Sequence, residues 1–163
     1  MNYKYKTEPF PHQRKMVEEC TDLEMHAIFW EQGTGKSKPI IDAIAWHWER
    51  GNIDAAVIVA PNGVHRNWLS DEFPAHFPDR HYAKTMSHYY ESPKALTKWH
   101  QRKCEKLLKH DGLSILTMSY DGFMTKRGKE YVKKFLILRR ALYTLDESDA
   151  IKTHGDMRTK SIV

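Results

Sequence analysis

A glycine loop between two apolar segments constrains the fold of this chain more than any other feature. Residues 33–37 read Gly-Thr-Gly-Lys-Ser; the apolar residues 27–30 precede them, and an apolar helical pattern begins at Ile40. This order predicts a strand, a tight loop and a helix, which is the setting that a phosphate-binding loop needs. Glycines let the backbone turn tightly and point its N–H groups at an anion, and the helix N-terminus adds unpaired amides.

The residues of the loop have expected roles in that interpretation. Residues 33–35 cradle phosphate, Lys36 reaches the β- and γ-phosphates, and the Ser37 hydroxyl ligates Mg²⁺. The complete pattern has a further glycine where this chain has Trp30, so the loop is a shortened version. The alternative is a glycine turn between a strand and a helix that happens to carry a lysine.

The composition is that of a globular domain. With 163 residues, 40% of them hydrophobic and 29% charged, the chain is long enough for one domain with a sizeable core. No apolar run approaches the roughly 20 residues that span a bilayer. Residues 1–10 also lack the apolar core of a secretion signal. We therefore treat residues 1–163 as one domain, and we expect no membrane partner and a cytoplasmic location (the host cytoplasm if a phage encodes the chain).

Cysteines, histidines and charge give weaker indications. Cys20 and Cys104 form no CxxC pair, and the ten histidines fall in no ligand pattern such as HExxH. We interpret the cysteines as free thiols and the histidines as scattered surface and core residues. The net charge is +5, and basic residues concentrate between His81 and Arg140. Such a segment is compatible with a polyanion partner, although a solvated basic face is the commoner meaning.

Strand and helix patterns alternate along the chain and predict a parallel α/β sheet. Strands are expected at residues 27–30, 55–60, 81–86, 113–118 and 141–145. Helices are expected over residues 11–20, 37–50, 64–73, 93–110 and 129–139. On the helix at 93–110, the expected buried residues are Leu96, Trp99, Leu107 and Leu108. Its expected basic stripe consists of Lys94, Lys98, Arg102 and Lys106.

An acidic run, Asp146-Glu147-Ser148-Asp149, follows the last predicted strand. Carboxylates at the C-terminal end of a parallel strand lie where ligands bind in open α/β folds. Beside a phosphate-binding loop they predict nucleoside triphosphate hydrolysis, in which Asp146 holds Mg²⁺ and Glu147 deprotonates the attacking water. With Lys36, these are the expected catalytic residues. The alternative is an acidic turn of no special function.

The motifs together are similar to those of one known family. Residues 33–37 match motif I, residues 57–61 with Asn67-Trp68 and Glu72-Phe73 match motif Ia, residues 115–120 match motif Ib, and residues 146–152 match motif II with a trailing Ile-Lys. By these segments, which span almost the whole chain, it resembles the N-terminal RecA-like domain of superfamily-two helicases, most closely the SWI/SNF-type ATPase branch and its phage relatives. The resemblance implies a P-loop NTPase fold with a RecA-like parallel sheet and flanking helices.

The resemblance also implies ligands. ATP and Mg²⁺ are the expected cofactors, with Ser37 and Asp146 as the metal ligands and Gln13, in Phe-Pro-His-Gln, at the adenine edge. The expected nucleotide-binding residues are therefore Gln13, Gly33, Thr34, Gly35, Lys36 and Ser37. Duplex DNA is the expected partner, held through its backbone without sequence preference. The residues expected to contact it are Pro61, Asn62, Arg66, Ser119, Tyr120, Lys126 and Arg127.

The resemblance further implies that the domain is incomplete. The sequence reaches Val163 before any motif III of the Ser/Thr-Gly-Thr type, whose strand lies between those of motifs I and II in the family. We expect ATP binding here, and DNA-dependent hydrolysis and translocation only with a C-terminal RecA-like domain supplied in cis or in trans. The alternatives are a non-catalytic half-helicase that binds DNA or a partner protein, and an unrelated P-loop enzyme such as a small kinase.

Overall fold

Helices and strands alternate throughout the computed structural model, which describes residues 3–21, 27–31 and 33–147. The strands are β1 (Ala55–Ala60), β2 (Thr85–Tyr90), β3 (Leu113–Ser119) and β4 (Ala141–Leu145). They form one sheet in the order β2-β3-β1-β4, and every neighbouring pair is parallel. The predicted α/β fold with a parallel sheet is confirmed.

Helices cover both faces of this sheet. The first two are α1 (Pro11–Cys20) and α2 (Ser37–Glu49), both within about a residue of the prediction. A continuous helical stretch follows β1 and consists of α3 (Val64–Asn67), a π-helical turn (Trp68–Glu72) and α4 (Phe73–His76). The remaining helices are α5 (Lys98–Lys109), α6 (Tyr120–Met124) and α7 (Lys126–Leu138). Among the described residues, no helix combines the length and apolar character needed to cross a bilayer.

Strand β1 is the centre of the core. All its side chains are buried, and they alternate between two apolar clusters, as the period of two along a strand requires. Ala56 and Ile58 pack with residues of α1, α2 and the helical stretch after β1. Val57 and Val59 pack with residues of α5, α6 and α7. A strand covered on both faces shows as a continuous apolar run in sequence.

Two predicted strands differ in the structure. Residues 27–30 form no strand. Within the part of the chain that the structure describes, β4 is the outer strand on its side of the sheet, and no strand pairs with its free edge. Residues 81–86 were expected as a strand, but Asp79–Lys84 is a 3₁₀ helix and β2 begins at Thr85. The Tyr82 hydroxyl donates to the carbonyl of Phe73 at 2.9 Å, which holds this turn against the end of α4.

Helix α5 starts later than predicted. The Thr97 hydroxyl accepts from the backbone N–H of His100 at 3.3 Å, so this side chain caps the helix and Lys98 is its first residue. The buried face consists of His100, Cys104, Leu107 and Leu108. Leu96 precedes the helix and Trp99 lies beside that face, so both predicted core residues are exposed, by 65% and 55%.

The basic stripe is therefore shorter than expected. Lys98, Arg102 and Lys106 are exposed on α5, as predicted. Lys94 lies before the helix, in a short 3₁₀ turn, and its ammonium pairs with the Glu91 carboxylate at 3.0 Å. Helix α7 begins before the predicted Lys129, because the Thr125 hydroxyl accepts from the backbone N–H of Gly128 at 3.0 Å.

An ion pair is buried inside α2, one turn beyond the glycine loop. The Lys38 ammonium lies 2.7 Å from Oδ2 of Asp42, and both side chains are almost fully buried. Oδ1 of Asp42 has no hydrogen-bond partner among the described residues. Burial raises the pKa of Asp42 from 3.8 to about 6, and the Lys38 ammonium offsets part of that effect.

This raised pKa predicts an unusual pH dependence of stability. The folded protein holds the Asp42 proton to a higher pH than the unfolded chain does, so the contribution of this group to stability falls between about pH 4 and pH 6. Because a pKa difference of one between the folded and unfolded states is worth about 1.4 kcal/mol, the fall is roughly 2–3 kcal/mol. Denaturant titrations of wild type and Asp42→Asn across this range should show that the substitution removes it. The exposed Asp71→Asn is the control, and an unchanged fall in Asp42→Asn would contradict the assignment.

Candidate nucleotide site

The glycine loop adopts the backbone conformation that its residues favour. Gly33 has φ of 79° and Gly35 has φ of 73°, in the left-handed region that side chains disfavour. Lys36 follows in helical conformation and leads directly into α2 at Ser37. The unpaired N–H groups at the start of this 13-residue helix therefore come directly after the loop. Gln32, which directly precedes this loop, lies outside the described residues.

Helix α1 holds the loop through Gln13. This side chain is almost fully buried; its Oε1 accepts from the backbone N–H of Phe10 at 2.9 Å, and its Nε2 donates to the carbonyl of Gly35 at 3.0 Å. A Cβ at Gly35 would come within 2.7 Å of that Nε2. A ring nitrogen of His12 lies 3.3 Å from the Thr34 carbonyl oxygen. Both ends of the Gln13 amide have a partner inside the protein, and one N–H and one oxygen lone pair of the amide remain for a further bond; binding of adenine by Gln13 stays a prediction.

Asp146 is fixed from three sides. Its backbone N–H donates to the Val59 carbonyl at 2.8 Å, one residue beyond the ladder between β1 and β4. Its carbonyl accepts from the Tyr120 hydroxyl at 2.7 Å. Its carboxylate oxygen Oδ2 accepts from the indole N–H of Trp68 at 2.8 Å. The ends of three elements thus hold this carboxylate at one edge of the sheet.

Glu72 connects the glycine loop to Asp146. Burial raises the pKa of the Glu72 carboxyl; a hydrogen bond with the Ser37 side chain lowers it, and the Asp146 carboxylate raises it. Ser37 and Asp146 come from segments far apart in sequence, yet both lie close to this one carboxyl group. Glu147 follows Asp146 with φ of 50°, a conformation uncommon for residues other than glycine, and its side chain is exposed. Ser148 and Asp149 of the acidic run, and the following residues 150–152, lie outside the described residues.

The residues expected to contact DNA separate into buried and exposed groups. Ser119 and Tyr120 are buried: the Ser119 hydroxyl accepts from the backbone N–H of Gly122 at 3.0 Å, and the Tyr120 hydroxyl is bound to Asp146. Their side chains therefore stabilise the fold, and only their backbone groups are left for the predicted contacts with DNA.

The more exposed members of this group lie on the loop after β1, on α3 and at the start of α7. The Asn62 side chain donates to the Asp121 carboxylate, so the loop after β1 is joined to α6 beside Pro61. Arg66 pairs with Glu91 at 3.0 Å, and Lys126 and Arg127 are exposed in the first turn of α7. These positions are compatible with the predicted contacts and do not test them.

Two residues of this site were not among the predicted site residues. Trp68 and Glu72 were recognised only as parts of the motif Ia match. The sequence did contain a sign that these two residues act together: they are four residues apart on a predicted helix, which places both side chains on one face. That face meets Asp146 through Trp68 and Ser37 through Glu72.

Comparison with known proteins supports the fold. No protein-family model and no curated protein matches this sequence. Among solved structures, the fold is similar to the SWI2/SNF2 ATPase core of Sulfolobus solfataricus in complex with dsDNA, with a TM-score of 0.68 and 16% sequence identity. The match covers 99% of this chain and 31% of that chain. The chain thus spans about a third of the length of that ATPase core, and the likeness confirms the predicted RecA-like P-loop architecture.

The bond between Trp68 and Asp146 predicts a specific stability cost. Trp68→Phe keeps an aromatic ring but removes the N–H donor to the carboxylate, so we expect a loss of about 1–3 kcal/mol in the free energy of unfolding, the range of a hydrogen bond to a charged group. Trp46→Phe is the matched control, because the equally enclosed indole N–H of Trp46 has no acceptor in the described part of the chain. Equal losses for the two variants in denaturant titrations would contradict the predicted role of this bond.

Proposed function

We propose that this chain is the ATP-binding half of a DNA-dependent ATPase of the helicase type. The observation that carries the proposal is that the π-helical turn Trp68–Glu72 packs against α2, which begins at Ser37, and also binds Asp146 at the end of β4 through the Trp68 indole N–H, at 2.8 Å. The groups proposed to bind phosphate and metal thus belong to segments, distant in sequence, that meet at one edge of a parallel sheet, where open α/β folds bind ligands.

The donor groups fit ATP and Mg²⁺. Backbone N–H groups of the loop and the first turn of α2 suit phosphate oxygens, and the Lys36 ammonium adds a positive charge. A hydroxyl and a carboxylate, those of Ser37 and Asp146, are the hard oxygen ligands that Mg²⁺ takes together with phosphate and water. The proposed role of Glu147, which is exposed beyond Asp146, is to deprotonate the attacking water.

Turnover in this proposal requires a second RecA-like domain, in cis or in trans. The solved ATPase core to which this fold is similar is about three times as long as the matched region. In phosphoryl transfer, an arginine supplied from outside the nucleotide-binding domain is worth on the order of 10³–10⁵ in rate. We therefore expect the chain by itself to bind ATP and to hydrolyse it slowly.

Duplex DNA is the proposed partner. The similar ATPase core is in complex with dsDNA. In this chain Asn62 on the loop after β1, Arg66 on α3, and Lys126 and Arg127 in the first turn of α7 present exposed polar and basic side chains. Such contacts to phosphate carry no sequence information and weaken with salt.

Nucleotide binding tests the proposal at Lys36. Calorimetric titration with ATP and Mg²⁺ should detect binding to the wild type, and Lys36→Ala should weaken it about 10- to 100-fold through loss of one charge-assisted hydrogen bond. Lys15→Ala, which removes an exposed lysine on the outer side of α1, is the control and should bind as wild type. If the wild type binds no ATP but still binds DNA, the non-catalytic half-helicase is the correct alternative.

The salt dependence of DNA binding tests the partner. Replacement of both Lys126 and Arg127 by alanine should reduce the slope of log affinity against log salt by about 2, because each phosphate that a cation neutralises contributes about 1 to that slope. The control replaces Lys98 and Arg102 of α5 by alanine, which changes the net charge equally on a face that we interpret as solvated. An equal or larger reduction in the control would assign the DNA surface to α5 instead.

A further inference from the structure

Two histidines and a cysteine come together in the core, away from the nucleotide site. His88 lies on β2, and His100 and Cys104 lie on α5. Nε2 of His88 is 3.2 Å from Nδ1 of His100, and Nε2 of His100 is 3.5 Å from Sγ of Cys104. One potential ligand atom from each residue lies within 4.8 Å of the other two, and all three side chains are buried. Three atoms at such separations can share one metal ion.

The cluster is held in place by its surroundings. His100 and Cys104 are four residues apart and lie on the same face of α5, which packs against β2. The Thr97 hydroxyl caps the start of this helix by accepting from the backbone N–H of His100. The Tyr131 hydroxyl donates to the Cys104 carbonyl at 3.1 Å, and the Tyr90 ring meets the His100 ring edge to face at 5.1 Å. Partners outside a ligand set orient metal ligands in this way.

We propose that His88, His100 and Cys104 bind a zinc ion. Imidazole nitrogen and thiolate sulfur are the donors that zinc takes in proteins, and three protein ligands leave a fourth position open. A surface pocket of about 370 Å³ adjoins the cluster and is lined by His100 and Cys104 together with Tyr90, Glu130 and Tyr131.

Binding of a metal must release a proton from the cluster, because burial raises the pKa of the Cys104 thiol to about 11. Burial, reinforced by the neighbouring His100, lowers the pKa of His88 to about 4, so its imidazole is neutral near pH 7 and keeps a lone pair. When the sulfur–zinc bond forms, the Cys104 thiol loses its proton to solvent. Without metal, the same atoms can form a hydrogen-bond chain from Cys104 through His100 to His88. The metal-free protein therefore has no unpartnered ligand atom between these residues and is expected to stay folded.

Cobalt is the probe that tests the ligand set directly. The whole chain, stripped of metal with a chelator, is titrated with Co²⁺, whose bond to a thiolate gives an intense near-ultraviolet charge-transfer band. We expect this band at one Co²⁺ per chain and its displacement by Zn²⁺. Absence of the band in the wild type would overturn the proposal and leave the cluster as a hydrogen-bonded part of the core.

Variants assign the band to these residues. Cys104→Ser exchanges one atom and should abolish the band, and His88→Gln should weaken Co²⁺ binding by at least about 10- to 100-fold, the range seen even for outer partners of metal ligands. Cys20→Ser, at the other cysteine, and His65→Gln, a buried histidine outside the cluster, are the matched controls. Circular dichroism checks that each variant is folded. Loss of the band in Cys20→Ser, or its retention in Cys104→Ser, would contradict the site.

The result is independent of the proposed nucleotide site. A cation held by Ser37 and Asp146 has only oxygen ligands and gives no thiolate band. Asp146→Asn should therefore leave the band unchanged, whereas it should weaken any Mg²⁺-dependent ATP binding. Loss of the band in Asp146→Asn would show that the cobalt signal does not come from the cluster of His88, His100 and Cys104.

Discussion

The pairing of β1 on both of its edges is the constraint on which the candidate site depends. Because β1 is buried on both faces, its backbone groups have no water to bind and must pair with neighbouring strands. Parallel pairing with β3 and β4 brings the C-terminal ends of all three strands to one edge of the sheet. The hydrogen bond from the Asp146 backbone N–H to the Val59 carbonyl continues this ladder by one residue. The pairing of the core strands therefore fixes the backbone that carries the Asp146 carboxylate.

The glycine loop, unlike Asp146, is held by helices: α2 follows it in sequence, and α1 contacts it. Helix α2 is buried over most of its length, and even its second residue, Lys38, lies inside the protein with Asp42 as its ion-pair partner. Removing one partner of such a pair leaves an uncompensated buried charge, which is more costly than loss of the pair as a whole. The pair therefore restricts where the helix can begin. The bond from Gln13 to Gly35 then fixes the loop relative to α1.

Elements that depend on a local sequence pattern were predicted correctly. Elements and contacts that depend on a partner distant in sequence were not. The strands at 55–60, 113–118 and 141–145 were predictable because burial on both faces leaves continuous apolar runs. Residues 27–30 have the same apolar character, but a strand also requires a neighbouring strand, which local sequence does not reveal. Trp99 was misplaced because it is nine residues before Leu108, and at about 100° per residue this spacing puts the two side chains on opposite sides of α5. The approach of His88 to His100 depends on how β2 packs against α5.

The position of Glu72 shows why the candidate site could be predicted only in part. Its motif was recognisable, but the contact with Ser37 depends on the π-helical turn that places Trp68 and Glu72 beside the loop. The Asp146 carboxylate then lies close enough to Glu72 to disfavour ionisation of the Glu72 carboxyl, which is a cost in the absence of a cation. A divalent ion bound at Ser37 and Asp146, as proposed, would reverse that interaction, because its charge exceeds that of either carboxylate. The Ser37 hydroxyl would ligate the metal through an oxygen lone pair while its O–H still donates to Glu72, so the residue that joins the two motifs without a ligand would keep this role when the ligand is bound.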